Sequence, residues 1–229
     1  MSVDIRQSQP ADAAAITAIA EAAFGESFNQ ARIEGLLQLG RIGSFVALDG
    51  RGILAFADSF VTFSETGRQR LELDLLAVEA QARGMGIGRL LVAECLRAAR
   101  AIDAPLLRTL VRNKNLAMRR LCAACGFAIS EQSYDLYVAS AGPGPIPAVA
   151  VDGVHLVPVE TFAYSGIWIE GDLTRAGICW ALSVAQARQL GTVGALVSQR
   201  DPGPGHVLSA AGFDQVGTYD WWTMHLKSG

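Results

Sequence analysis

The segment Arg83-Gly84-Met85-Gly86-Ile87-Gly88 stands where the hydrophobic pattern of the chain changes period. Residues 69–78 before it read as a strand. Residues 88–103 after it place Leu91, Cys95, Ala98 and Ile102 on one stripe, with Glu94, Arg97 and Arg100 off it, the pattern of a helix packed on a sheet. A glycine-rich junction between strand and helix exposes successive backbone N–H groups, permits positive φ and close approach, and adds roughly half a positive charge at the helix start. It is therefore suited to phosphate oxygens. A P-loop would need Gly-Lys-Ser/Thr, but Arg89 follows Gly88. A dinucleotide fingerprint would need glycine at position 89 and an acidic residue about 20 positions on, whereas the strand at 106–112 is basic. The bland alternative is a tight turn without a ligand.

The surroundings narrow the choice. Nine basic residues (Arg83, Arg89, Arg97, Arg100, Arg108, Arg112, Lys114, Arg119 and Arg120) lie within 38 positions, either a solvated helical surface or a field that attracts a phosphorylated ligand. Net charge is −3, and residues 1–140 carry 15 basic and 15 acidic side chains, so bulk charge argues against nucleic-acid binding. No apolar run approaches the roughly 20 residues of a membrane span. The start, Met1-Ser2-Val3-Asp4-Ile5-Arg6, lacks a basic and apolar leader, so a cytoplasmic protein is expected. Four cysteines and three separated histidines suggest neither a disulfide framework nor a metal site.

Turn signals divide residues 1–140 into a strand at 3–7, a helix entered through Pro10 and ending near Phe24, a helix at 28–39, strands at 44–48, 52–63 and 69–78, the helix after the glycine loop, a strand at 106–111, a helix at 115–125 and strand material at 127–138. Pro and Gly concentrate at 141–149, which predicts a linker between a domain at 1–140 and a lobe at 150–229. In that lobe the order partly repeats: strand 164–170, helix 173–190, strand 192–197, short helix 203–211, then strands to 226. At an offset of 86, Leu110, Val111, Ala124, Gly126 and Phe127 coincide with Leu196, Val197, Ala210, Gly212 and Phe213. A degenerate half-copy is expected.

The glycine loop follows a strand ending Leu76-x-Val78 and supplies Arg83, Gly86 and Gly88; Asn115, Leu121, Gly126 and Phe127 come 27 and more residues later. That succession resembles the GNAT superfamily of acyl-CoA N-acetyltransferases. The resemblance implies an α/β fold, a mixed and mostly antiparallel sheet flanked by helices, with the strands at 70–78 and 106–112 splayed apart. It implies acetyl-CoA as co-substrate, its pantetheine arm on the backbone of Ala77 and Val78, its pyrophosphate on the amides of Arg83, Gly84, Met85, Gly86, Ile87, Gly88 and Arg89, and Asn115 beside the pantetheine. The implied reaction is direct acetyl transfer to the amine of a small molecule or peptide in a ternary complex.

Such a reaction needs a base for the ammonium and an acid for the thiolate. Glu72 stands where the histone-acetylating branch of the superfamily places its base, and Asp74 shares its strand face, so repulsion between the two could raise one pKa. Either could equally be an ordinary exposed or salt-bridged carboxylate. Many relatives carry tyrosine where this chain has Cys122, leaving that thiol, or Tyr134 or Tyr137, as candidate acid; a buried apolar cysteine is the competing reading. A non-catalytic acyl-CoA-binding module is the alternative function, and a nucleotide-binding domain of another class a more distant one. In the second lobe Glu170-Gly171-Asp172-Leu173-Thr174-Arg175 replaces the phosphate loop with acids, so no second cofactor is expected. Trp168, Trp180, Trp221 and Trp222 lie there as core or as a substrate or homodimer surface.

Overall fold

The computed structural model describes residues 3–141 and 150–226, so most of the expected linker, 142–149, lies outside the described residues. The chain runs β1 (Asp4–Gln7), α1 (Ala13–Phe24), α2 (Gln30–Gln38), β2 (Phe45–Asp49), β3 (Gly52–Phe63), β4 (Gln69–Val78), α3 (Ile87–Ala101), β5 (Leu106–Arg112), α4 (Leu116–Ala124) and β6 (Ala128–Ser140). It continues with β7 (Val154–Glu160), β8 (Ser165–Gly171), α5 (Arg175–Ala187), β9 (Thr192–Ser198), α6 (Gly203–Ala210) and β10 (Asp214–His225). The mixed α/β fold read from the sequence is thus present. Strand β7 was not anticipated, because Pro158 and its neighbours obscure the alternation; β7 is an edge strand, the place where proline's missing N–H costs least.

All ten strands form one sheet, in the order β1-β2-β3-β4-β5-β10-β6-β9-β8-β7. Two neighbours, β4 with β5 and β8 with β9, are parallel, and every other pair is antiparallel. The last strand does not stay with its own half. Strand β10 lies between β5 and β6, pairing Trp222 with Thr109 on one side and Asp220 with Ser133 on the other. Strand β6 in turn pairs with β9, from Tyr134↔Ser198 to Ser140↔Thr192. The buried cluster around Leu71, Leu91, Cys95 and Leu107 includes Trp222, so the core of the first half is completed by a side chain of the second. Asp220 in the same strand is buried and held by Ser133 Oγ at 2.6 Å and by Arg119 of α4.

Alternation along the strands assigns the two faces. Leu107, Trp222 and Met224 pack against α3 and α4, while Ile167, Val193 and Ala195 on the same face pack against α5 and α6. Helices α1 and α2 cover Val46, Phe56 and Ala77 on the opposite face. The rest of that second face curls inward until β7 and β8 meet β3. Phe60 packs with Val157 and Val159, and its ring lies edge-on to Trp168 at 5.7 Å. The turn from β7 to β8 reaches α2: Phe162 is fully buried against Phe56, and Arg32 donates to Thr161 O at 2.8 Å. Among the described residues no helix is long and apolar enough to cross a membrane.

This topology makes the first half dependent on the second. A chain ending at Val138 loses β10 and leaves facing strands β5 and β6 with unpaired edges and an exposed core around Leu107. It is expected to be insoluble or markedly destabilised when its soluble yield and unfolding midpoint are measured; a monomeric, fully stable product would contradict the packing described.

Candidate active site

Strands β4 and β5 pair only at Leu71↔Leu107 and Glu72↔Arg108. Beyond these two positions they separate, and the expected splay is present. Opposite the splay, β4 carries one extra residue relative to β3: Asp58 pairs with Leu75 but Ser59 with Leu73, so Asp74 is bulged. The bulge resets the alternation, placing Asp74 and Leu75 on one face while Leu73 and Leu76 face α3. The open face bounds a cavity of about 790 Å³, lined among others by Glu72, Asp74, Arg108 and Asn115 from the first half and Tyr164, Trp168, Glu170, Gly194 and Trp221 from the second.

At the outer end of the splay, Gly84 and Gly86 both hold φ +80°, a conformation that side-chained residues rarely adopt. Gly86 is the N-cap of α3 and supplies no side-chain cap. Among the described residues, the N–H groups of Gly84 to Gly88 have no backbone acceptor within the chain, and residues 83–86 are exposed. At Gly88 an added Cβ would stand 3.2 Å from Leu121 Cδ2, which ties the helix start to α4. The corresponding junction between β8 and α5 is closed. Thr174 Oγ1 caps Gly177 N at 3.1 Å, Asp172 N donates to Gly153 O, and an added Cβ at Gly177 would meet Val154 Cγ2 at 2.6 Å.

The carboxylates differ in their partners. Glu72 is 2% exposed; it accepts from Thr62 Oγ1 at 2.5 Å and from Arg108 Nε at 2.9 Å on both oxygens. Arg108 also donates through Nη2 to Glu170 Oε1 at 2.9 Å, and Arg70 Nη1 donates to Glu170 at 3.0 Å. Burial is the largest single effect on the Glu170 carboxyl and raises it, but the hydrogen bonds and charges of the two arginines together outweigh it and hold the group below its ordinary range. Arg108 is stacked on Trp221, its guanidinium carbon 4.1 Å from the ring. Asp74 has no hydrogen bond or ion pair among the described residues. Desolvation first, and the charge of Glu72 in addition, push its carboxyl up to about 6 against the attraction of Arg41. Behind it, fully buried Asp58 has Arg41 Nε 2.8 Å from Oδ1 but no aligned donor, and desolvation raises it to about 8.

The sequence-designated residues therefore separate. Glu72 is present at the cavity but saturated by partners. Cys122 is 1% exposed in the core beneath α4 and does not line the cavity; burial, with the neighbouring Cys125 three residues on, pushes its thiol up to about 12. Cys122 is thus a core side chain in this fold. Tyr134 and Tyr137 also lie outside the lining, which instead includes Tyr164 and Tyr219. Asn115 lines the cavity, although its Oδ1 is occupied as the N-cap of α4, accepting from Met118 N at 3.1 Å. Three of the nine clustered basic residues, Arg97, Arg108 and Arg119, are in ion pairs. Tyr164 escaped sequence reasoning, as did the contact of Glu170 with Arg108, since nothing local announces that β8 faces β4; Trp168 is legible there only as core or as a substrate or dimer surface.

With this geometry in view, the comparisons are specific. The model of the acetyltransferase (GNAT) family matches residues 13–127, and the chain belongs to that family. A GCN5-related N-acetyltransferase from Sphaerobacter thermophilus aligns over 99% of this chain and 96% of its own, at 15% identity and a TM-score of 0.61. A Pyrococcus horikoshii protein aligns over 98% of this chain and 90% of its own, at 12% identity and a TM-score of 0.63. The yncA protein of Salmonella typhimurium, solved with acetyl-CoA, covers 59% of this chain and 84% of its own, at 21% identity and a TM-score of 0.52. No curated protein matches the sequence.

Asp74 sets a pH dependence. Its folded pKa of about 6 exceeds the ordinary 3.8, so the folded state holds this proton more tightly than the unfolded chain. The stabilisation is complete below about pH 4 and is lost as pH rises to about 6. The melting temperature of the wild type relative to Asp74→Asn should therefore fall between pH 4.5 and 7. A difference independent of pH would contradict the assignment.

Proposed function

We propose that the chain transfers acetyl from acetyl-CoA to a primary amine by direct attack within this cavity. The observation that carries the reading is the coincidence of three features: a splayed β4–β5 pair, the uncapped helix start at Gly84–Gly88, and an unpartnered carboxylate between them. The residues fit the cofactor. The backbone of Ala77 and Val78, left without a β5 partner, would pair with the pantetheine arm, which would displace Arg83 Nε, the present donor to Val78 O at 3.1 Å. The amides from Arg83 to Arg89 would hold the diphosphate, with the exposed side chains of Arg83 and Arg89 beside it. Asn115 would offer its Nδ2 to the pantetheine. Acetyl-CoA supplies the activated acyl group.

Asp74 is the proposed base. An ammonium of ordinary pKa near 10 requires about 4 kcal/mol to deprotonate at neutral pH, so a positioned acceptor matters more than an acid for a thiolate of ordinary pKa near 8.5. Glu72, saturated by Thr62 and Arg108, is assigned a positioning role: it fixes Arg108 and, through it, Glu170. Tyr219, opposite Arg112 in the β10–β5 register, also lines the cavity. We read residues 150–229 as a degenerate copy of the family fold. The parallel β8–β9 pair and the matching helix ends support this: Phe127 N bonds Cys122 O and Phe213 N bonds Leu208 O, after glycines with φ +86° at 126 and 212.

Three variants test the assignment. Gly86→Val must abandon positive φ at the loop and should weaken acetyl-CoA binding at least tenfold by calorimetry; full affinity in a folded variant would contradict the loop assignment. Thiol release with an amine panel should fall roughly 10²-fold in Asp74→Asn and lose the rise of kcat/KM through about pH 6. Glu72→Gln, which removes a charge that raises the Asp74 carboxyl, should retain the inflection at a lower pH and a lower overall rate, and Cys122→Ala should lose less than tenfold. Binding of acetyl-CoA with no thiol release from any amine would identify a non-catalytic module instead.

A further inference from the structure

Each parallel strand pair opens into the cavity from its own side, and the residues at its narrow end differ in kind. Where β4 meets β5, Glu72 stands beside Arg108; where β8 meets β9, Trp168 stands beside Gly194. The first opening is floored by an ion pair, the second by an indole and bare backbone. The indole is fixed from two directions: Trp168 Nε1 donates to Tyr164 Oη at 2.9 Å, and Phe60 packs edge-on against the ring. Above Gly194 there is room. An added Cβ there would have Trp168 Cδ1 as its nearest neighbour at 3.5 Å, an ordinary contact.

The charges around this space favour one kind of ligand. Arg108 is engaged by both Glu72 and Glu170, so it offers nothing to an anion, while Asp74 faces the cavity without an ionic partner. Arg112, at the splayed end of β5 on the cofactor side, donates to Val216 O. An ammonium is therefore attracted toward Asp74, and a carboxylate on the same molecule would meet Glu72, Asp74 and Glu170. On the helix side the space is bounded by Phe24 and Glu26 and by Ala163 of the β7–β8 turn, which adds a further carboxylate and no cation. A concave space of about 790 Å³, shared with the acyl end of the cofactor, suits a small molecule.

We infer that the acceptor is a small primary amine on an aromatic or unbranched apolar skeleton lacking any anionic group, its skeleton over Gly194 against Trp168 and its ammonium toward Asp74. This assignment rests on the acetyl-transfer reading above. The second half then contributes the acceptor subsite from the strand opening that, in the first half, takes the cofactor.

The test compares 2-phenylethylamine with L-phenylalanine, which shares its ring and amine but adds a carboxylate, in wild type, Gly194→Ala and Gly194→Val. The amine should exceed the amino acid at least tenfold in kcat/KM. Gly194→Val should raise the KM for 2-phenylethylamine at least tenfold while the Kd for acetyl-CoA stays within twofold, with Gly194→Ala, whose Cβ fits, lying between. Equal use of both acceptors, or a KM indifferent to position 194, would overturn the inference. Titration of 2-phenylethylamine followed by tryptophan fluorescence separates it from the reading beneath it. Saturable binding weakened by Gly194→Val without any turnover would remove acetyl transfer and keep the amine pocket. Turnover of other amines with no such binding would remove the pocket and keep the reaction, and absence of both would remove both.

Discussion

Two residue pairs, Leu71 with Leu107 and Glu72 with Arg108, are all that joins β4 to β5, and the site depends on the pairing stopping there. A parallel pair carried further would close the gap and satisfy the backbone of Ala77 and Val78 from within the chain. The bulge at Asp74 lies immediately beyond the last pair. It bends β4 away and keeps Leu75 on the face of Asp74, where regular alternation would have directed it toward α3, so that Leu76 and Val78 return to that core. The ion pair at the closing position has a structural role as well: removing either member of a buried pair leaves an uncompensated charge, a cost of roughly 3–5 kcal/mol.

The two halves are joined by strand exchange more than by surface contact. Strands β10 and β6 each pair with the central parallel strand of the other half, so both cores share one hydrogen-bonded sheet. Of four arginine–carboxylate contacts near the site, the two that Arg70 and Arg108 make with Glu170 then join the halves across the cavity. The same curl that brings Glu170 to Arg108 brings Trp168 to Phe60, which makes a single cavity from two strand openings. The full-length alignments with the Sphaerobacter thermophilus and Pyrococcus horikoshii structures place this arrangement in a wider group of the fold.

The glycine loop and the helix after it were legible because each obeys a local rule: glycine for positive φ, a 3.6-residue stripe for a packed helix. The Asn115 to Phe127 segment was legible for a similar reason, since an asparagine cap and a glycine helix end leave fixed spacings. What escaped was long-range. Strand β10 looks like terminal strand material in sequence, and no residue in it states that its neighbours will be β5 and β6. The difference in partners between Glu72 and Asp74 was also hidden. Both sit on the expected face, but which one is saturated depends on Arg108, 36 positions away, and on Glu170 from the other half. Cys122 illustrates the opposite case, where a core position coincides with a family position that carries chemistry elsewhere.

The central claim is that one strand opening takes the cofactor while the other, closed to phosphate by Thr174 and Gly153, does not. The stoichiometry of acetyl-CoA binding to the intact chain, measured by isothermal calorimetry, tests it directly. The account predicts one molecule per chain. Two molecules per chain would contradict the distinction drawn between the halves, and the absence of binding would contradict the reading of the glycine loop on which the rest is built.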